Sequence, residues 1–137
     1  MKTCYTAPGL MSVSEQIENM TIEQKILFLI ENQFDINSRE LLIHSGGVKI
    51  TCLKHIWRYL LRSIRGETRK NGKQEPKYTF KAIGRMTGMV GHPMVIWSCK
   101  QAQDLISTDK YYRDRYAEII KYLKGELFQV LPLNLQK

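Results

Sequence analysis

Leu53, Ile56, Trp57, Leu60, Leu61 and Ile64 recur at i, i+3, i+4, i+7, i+8 and i+11. That spacing gathers large apolar side chains on one face of an α-helix and scatters them over both faces of a strand. A stripe of this width must be covered by other elements. The rest of the chain repeats the helical period, while period-two alternation is almost absent. The expected fold class is therefore all-α, a helical bundle.

Thr21-Ile-Glu-Gln24 has the form of a capping box ahead of Ile22, Ile26, Leu29 and Ile30, which predicts a first long helix. Phe34-Asp-Ile-Asn-Ser38 interrupts it, with Ser38 placed to cap a short turn from Arg39 to Ile43 that Gly46-Gly47 ends. Ser107 or Thr108 can cap a last helix in which Tyr112, Tyr116, Ile119, Ile120, Leu123 and Leu127 keep helical spacing. Most tyrosines of that helix are thus expected in the core. A length of 137 residues with 43% apolar content suits one domain. The expected division is a flexible leader over 1–14, a single helical domain over 15–127 and a tail over 128–137.

Thr79 can cap a short helix containing Phe80, Ile83 and Met86, in which Gly84 is small enough to admit a crossing helix. Thr87-Gly88-Met89 then supplies a turn, and Pro93 suits the first position of a second helix because its missing N–H would have no intrahelical partner there. The layout over about 79–106 is that of a helix-turn-helix, whose second helix lies in the major groove of DNA with its first turn nearest the base edges. His92, Pro93, Met94 and Trp97 are the candidate base-reading residues. His92 can contact a base or simply cap the helix. Trp97, one turn further on, is expected half in the core. Met86, Met89 and Met94 can fill core gaps or wedge against thymine methyl groups.

Charge is concentrated in the same region. From Lys49 to Lys100 there are twelve basic residues against Glu67 and Glu75, although the whole chain is only +8, so the flanking segments are net acidic. A concentrated positive patch attracts phosphate and releases its counterions, and a solvated basic face would look the same in composition. The candidate phosphate-binding residues are Lys49, Lys54, Arg58, Arg62, Arg65, Arg69, Lys70, Lys73, Lys81, Arg85 and Lys100. Lys54, Arg58, Arg62 and Arg65 form a stripe beside the apolar face of their helix, from which long cationic side chains can reach outward. Residues 66–78 have no apolar periodicity and carry Gly66, Gly72 and Pro76 among basic residues, which predicts a mobile basic loop.

Other chemistries find little support. Five residues separate Gly66 from Gly72 and Gln74 follows Lys73, so no phosphate-binding P-loop, and no nucleotide, is expected. Cys52 and His55 have helical i, i+3 spacing but no second pair at ligand distance, and Cys4, Cys52 and Cys99 offer no disulfide framework. No nucleophile and base pattern stands out, so no catalytic residues, cofactor or metal are expected and the chain is not read as an enzyme. The absence of a signal-like apolar core and of a long apolar run points away from membranes, to a cytoplasmic protein that is nucleoid-associated if DNA-bound.

Three segments in order carry a family resemblance: Phe34-Asp-Ile-Asn-Ser-Arg-Glu-Leu-Leu42, Lys54-His-Ile-Trp-Arg-Tyr-Leu60, and Ile83-Gly84 followed by Gly88, His92, Val95 and Cys99-Lys100. Over roughly residues 21–124 the chain resembles the C-terminal DNA-binding domain of the bacterial chromosomal replication initiator, DnaA, whose fold is similar to the Trp repressor. The resemblance implies double-stranded DNA as partner. It also implies an accessory replication or regulatory role, because no counterpart of the family's ATPase module is present; a replication protein is a second possible partner. The family signature Gly-Gly-Arg-Asp-His-Thr-Thr-Val aligns with Gly88-Met-Val-Gly-His-Pro-Met-Val95. Of the family's Asp, His and Thr base readers only His92 remains, since Gly91 accepts no bond from a cytosine amine and Pro93 has neither hydroxyl nor N–H. The family's arginine-rich loop aligns with His44-Ser-Gly-Gly-Val-Lys49, which keeps one lysine, while the 66–77 segment adds basic residues the family lacks. Those departures imply altered sequence preference. They leave open an interaction module that kept the fold and lost specific readout.

Overall fold

The computed structural model describes residues 12–42, 47–68, 72, 74–123 and 126–127, excepting the side chains of Glu67, Thr68 and Gln74. In chain order come α1 (Val13–Ile17), α2 (Ile22–Phe34), a 3-10 turn (Ser38–Leu42), α3 (Gly47–Arg62), β1 (Arg65–Thr68), β2 (Gln74–Pro76), α4 (Phe80–Met86), α5 (His92–Thr108) and α6 (Lys110–Leu123). The fold is an all-α bundle with one small antiparallel ribbon. Among the described residues no helix is long and apolar enough to cross a membrane.

Helix α3 is the central strut, and the apolar stripe that demanded a helix is the reason. Leu53, Ile56, Trp57, Leu60 and Leu61, with Ile64 just beyond the last turn, are all buried. They meet Ile26, Leu29, Ile30 and Phe34 of α2, Val95, Ala102 and Ile106 of α5, and Tyr116, Ile119 and Leu123 of α6 in one continuous core. Each fully buried aliphatic side chain contributes about 1.5–3 kcal/mol relative to exposure, so the bundle holds α5 against α3 without help from a ligand.

Helix starts follow side-chain chemistry. Thr21 accepts a hydrogen bond from the Gln24 N–H at 3.2 Å, and the Gln24 amide oxygen accepts one from the Thr21 N–H at 3.0 Å, closing the expected capping box. A second box, Ser12 with Glu15, starts α1 at Val13, inside the stretch expected as a leader. The first turn after α2 is capped by Asn37 rather than Ser38: its side-chain oxygen accepts from the Arg39 N–H at 2.9 Å, while the Ser38 N–H donates to Glu31. Asp109, not Ser107 or Thr108, caps α6 by accepting from the Tyr111 N–H at 3.0 Å. The two hydroxyls instead bond back to the Gln103 and Asp104 carbonyls within α5.

Two further expectations are corrected. Leu127 is not part of the last helix; α6 ends at Leu123, and Leu127 pairs with Ile64 in an isolated antiparallel bridge. The α6 tyrosines do keep to the core as expected, with Tyr116 buried and Tyr112 and Tyr122 half-buried against the core, while Tyr111 is 42% exposed. The segment expected as a basic loop is bounded by β1 and β2, with Arg65 opposite Pro76 and Thr68 opposite Gln74. Gly66 makes that pairing possible, because a Cβ there would stand 2.5 Å from the Glu75 carbonyl oxygen. At the base of the ribbon the Lys77 N–H donates to the Ile64 carbonyl at 2.9 Å. Arg69, Lys70 and Lys73 lie outside the described residues, as do most of the leader, the tail and residues 43–46.

Glu23, in the first turn of α2, ties the ribbon to the bundle. It accepts from the Lys77 ammonium at 2.7 Å and from the Tyr78 hydroxyl. Burial works to raise the Glu23 carboxyl, but the bonds from Lys77 and Tyr78 outweigh it and bring the group down to about 2. The next residue, Thr79, caps α4 by accepting from the Ala82 N–H at 3.1 Å, so this ion pair helps fix where α4 begins.

Candidate nucleic-acid interface

Helices α4 and α5 are joined by a tight turn built on unusual backbone. Gly88 has φ +114 and Met89 has φ +60, conformations that favour glycine and that an L side chain adopts only under constraint. The constraint is the contact between the turn and Gly84. The Val90 N–H donates to the Gly84 carbonyl at 3.0 Å, and a Cβ at Gly84 would lie 2.1 Å from the Val90 carbonyl oxygen and 3.4 Å from Val95 of α5. Gly84 thus admits the turn itself more closely than the crossing helix.

Gly91 is the N-cap of α5 and offers no side-chain cap, so His92 is the first helical residue and Pro93 the second. His92 therefore does not cap the helix. His92, Pro93 and Met94 are exposed and Trp97 is 49% exposed; Pro93 and Trp97 lie on the side of α5 opposite buried Val95, Ser98 and Cys99, and His92 and Met94 flank it in the first turn. The methionines are not core fillers here: Met89 is 79% and Met94 43% exposed, and only Met86 packs against the core. Met89 was not among the candidate site residues, although its place after Gly88 in a turn is the signal that could have found it.

Behind this surface lies a buried polar cluster. Arg58 is only 5% exposed, which corrects the expectation that it reaches outward to phosphate. Its Nε donates to Thr87 Oγ1 at 3.0 Å, Nη2 to the Thr87 carbonyl at 3.1 Å and Nη1 to Ser98 Oγ at 3.2 Å. One α3 side chain thus holds the end of α4 and the middle of α5. The physical reason is rotational: on α3, Arg58 shares the side facing α5 with His55, while the apolar stripe takes the neighbouring side. The Ser98 hydroxyl also bonds His55 Nδ1. Burial first, and then the Arg58 charge, push the His55 imidazole down to about 4, so the ring is neutral at neutral pH. Ser98 Oγ already accepts from Arg58, so its own proton is available to an unprotonated Nδ1. His55 in turn meets the Trp97 ring edge to face, centroids 5.2 Å apart at 88°.

The remaining cations divide in two. Lys49, Lys81, Arg85 and Lys100 are exposed and, among the described residues, make no ion pair or hydrogen bond. Lys81 and Arg85 are four apart on one face of α4, and Lys100 follows Trp97 by three on α5. Lys54 is half-buried, and burial together with Arg58 lowers its pKa. Arg62 and Arg65 serve the ribbon end of α3. Arg62 Nη1 donates to the Tyr78 carbonyl at 3.0 Å with its guanidinium 3.8 Å over the Phe80 ring, and Arg65 Nη2 donates to the Leu127 carbonyl at 3.2 Å. No acidic residue occurs from Leu41 to Gly66 or from Lys77 to Gln103, so α3, α4 and the first half of α5 contribute cations and no carboxylate to this surface.

The chain is similar to a replication initiator. It is 28% identical over 110 residues to the chromosomal replication initiator protein DnaA of Nostoc sp. (strain PCC 7120), a match covering 80% of this chain and 21% of that protein. The chain thus spans about a fifth of the length of the curated relative it matches. No protein-family model and no solved structure matches it.

The chemistry available at the surface is that of binding. An exposed helix start with Met94 and Trp97 three apart on α5, exposed Met89 in the turn before it, and exposed Lys81, Arg85 and Lys100 on α4 and α5 can engage a polyanion and pack against its bases. Among the described residues no group of three His, Cys, Asp or Glu is placed to hold a metal ion. The Cys52 and His55 pair diverges, with His55 turned to Ser98 and Cys52 beside Tyr112 of α6.

Proposed function

We propose that this chain is a double-stranded DNA-binding domain that presents α5 to the major groove, with α4 as its bracing helix, in an accessory replication or regulatory role without ATPase or other catalytic activity. The observation that carries this reading is the exposure of His92, Pro93, Met94 and Trp97 along the start of α5, beside exposed Lys81, Arg85 and Lys100 in a stretch without acids. The similarity to an initiator protein supports it. In this arrangement the cations neutralise phosphates and position the domain, and the α5 start meets the bases. Bound to DNA in this way, the protein would be nucleoid-associated in the cytoplasm.

The test is fluorescence anisotropy of a labelled duplex bearing the initiator's box and of a scrambled duplex across a salt series, with His92→Ala in parallel. Tighter binding to one duplex, weakened by His92→Ala, supports base readout. Equal binding that falls steeply with salt and ignores His92→Ala reduces the function to phosphate attraction. Absence of binding at low salt overturns the reading. It would favour a second one, a protein-interaction module, for which the exposed Met89, Met94 and Trp97 beside uncapped Gly91 are the supporting observation.

A further inference from the structure

The exposed start of α5 is poor in the groups that read base edges by hydrogen bonding. Gly91 has no side chain, Pro93 has no donor, and the Met94 and Val95 N–H groups are spent on the Gly91 carbonyl at 3.1 and 3.3 Å. His92 and the donor-only indole of Trp97 are the polar handles left on this face. Adenine and cytosine amines call for an acceptor, and the O6 and N7 pair of guanine calls for a forked donor such as arginine. Neither kind is supplied by Met89, Met94 or Trp97, which instead present carbon and polarizable sulfur at 79%, 43% and 49% exposure. The one feature of the major groove that matches such a surface is the 5-methyl group of a pyrimidine.

The platform is also held in place before any ligand arrives. Trp97 rests edge to face on His55, His55 is bonded to Ser98, and Ser98 to Arg58. Met89 is held in its left-handed turn by the seating of Val90 on Gly84. The indole and the turn backbone are thus ordered in advance, and the freedom lost on docking is chiefly that of the Met89 and Met94 side chains.

We infer that Met89, Met94 and Trp97 recognise 5-methylpyrimidines in the major groove. This deepens the DNA-binding reading and rests on it. Thymine and 5-methylcytosine both supply the methyl group, and it is the methyl, rather than the amine or carbonyl of the base, that these side chains select.

Because no target sequence need be known, the test uses alternating 24-base-pair duplexes of dA-dT, dA-dU, dG-dC and dG with 5-methyl-dC, bound at one low salt concentration to the full chain. The expected result is about four- to fifteen-fold tighter binding of dA-dT than of dA-dU, the size set by burying one or two methyl groups. Met94→Gln, and separately Met89→Gln, should narrow that ratio toward one; both positions are exposed, and a thermal melt of each variant confirms folding. A parallel gain on methylating dC assigns the effect to the methyl group on either base, and a gain confined to thymine assigns thymine as the source. Equal affinity for dA-dT and dA-dU in the unaltered chain overturns the inference while leaving DNA binding standing. Failure to bind any of the four duplexes overturns the DNA reading itself.

Discussion

Val90 sits directly on Gly84: its N–H donates to the Gly84 carbonyl at 3.0 Å, and its own carbonyl oxygen occupies the space in which a Cβ at position 84 would stand, 2.1 Å away. The obstacle is backbone, so it cannot rotate aside. Gly84→Ala should therefore destabilise the protein by about 2–3 kcal/mol, although alanine is the better helix former by about 1 kcal/mol. Urea unfolding should show a lower midpoint at unchanged m-value; an unchanged midpoint would mean that the turn shifts freely off α4.

Arg58→Met tests the buried polar cluster. Removing the guanidinium strips donors from the Thr87 hydroxyl, the Thr87 carbonyl and Ser98 Oγ, all within the protein interior. A loss of about 2–4 kcal/mol is expected, since among the described residues no carboxylate neutralises the charge and part of its desolvation is regained. Arg58→Lys should not rescue stability, because one ammonium cannot span Thr87 and Ser98 as the planar fork does. Equal stability of the lysine variant and the unaltered chain would show that charge alone matters there.

How far the fold was legible from the residues follows from which signals are local. The stripe on α3, the capping box at Thr21 and the Thr79 start of α4 are encoded within one or two turns, and each appears where periodicity and capping chemistry put it. The ribbon was missed because its strands are three or four residues long, have no alternation, and depend on Gly66 passing under the Glu75 carbonyl. Arg58 was misplaced because a spacing of four along α3 cannot tell a cation beside an apolar stripe from one rotated under α5. Only the position of Thr87 and Ser98, 29 and 40 residues away, decides it. At the candidate interface the exposure of the α5 start was legible from Pro93 and the turn, whereas for Met89 the residues left core filling and an exposed wedge both open, and only its 79% exposure in the turn after Gly88 decides between them.

Glu23 makes stability depend on acid. Its carboxyl lies at about 2 in the folded protein against an ordinary 4.5, so its contribution is full above about pH 4.5 and is lost as pH falls through 2. The pair is partly open to water, with Lys77 44% exposed, which reduces the effect to about 1–2 kcal/mol. Glu23→Gln should flatten the stability profile over that window by this amount and leave the slope above pH 5 unchanged. A profile identical to that of the unaltered chain would show that the Lys77 and Tyr78 bonds contribute nothing in solution.

Gly91 leaves α5 without a side-chain cap although its backbone, φ −75 and ψ 163, is that of an ordinary N-cap. A Cβ there meets only the Pro93 ring at 3.6 Å. Gly91→Ser should therefore gain a few tenths of a kcal/mol, roughly the advantage of serine over glycine at a cap. A loss of stability in thermal or urea unfolding would mean that the space in front of α5 is needed by the turn.

Salt dependence separates the cations that face outward from those that hold the fold. Lys81 and Arg85 share an exposed face of α4, whereas Arg65 is engaged with the Leu127 carbonyl. If α4 rests on the DNA backbone, Lys81→Ala with Arg85→Ala should weaken binding on every duplex alike and reduce the slope of log K against log salt by roughly 0.9 for each phosphate no longer neutralised. Arg65→Ala should change that slope by less and lower the melting temperature more, because its main partner is internal. A slope that responds to Arg65 and ignores the α4 pair would move the phosphate track from α4 to the ribbon end of α3.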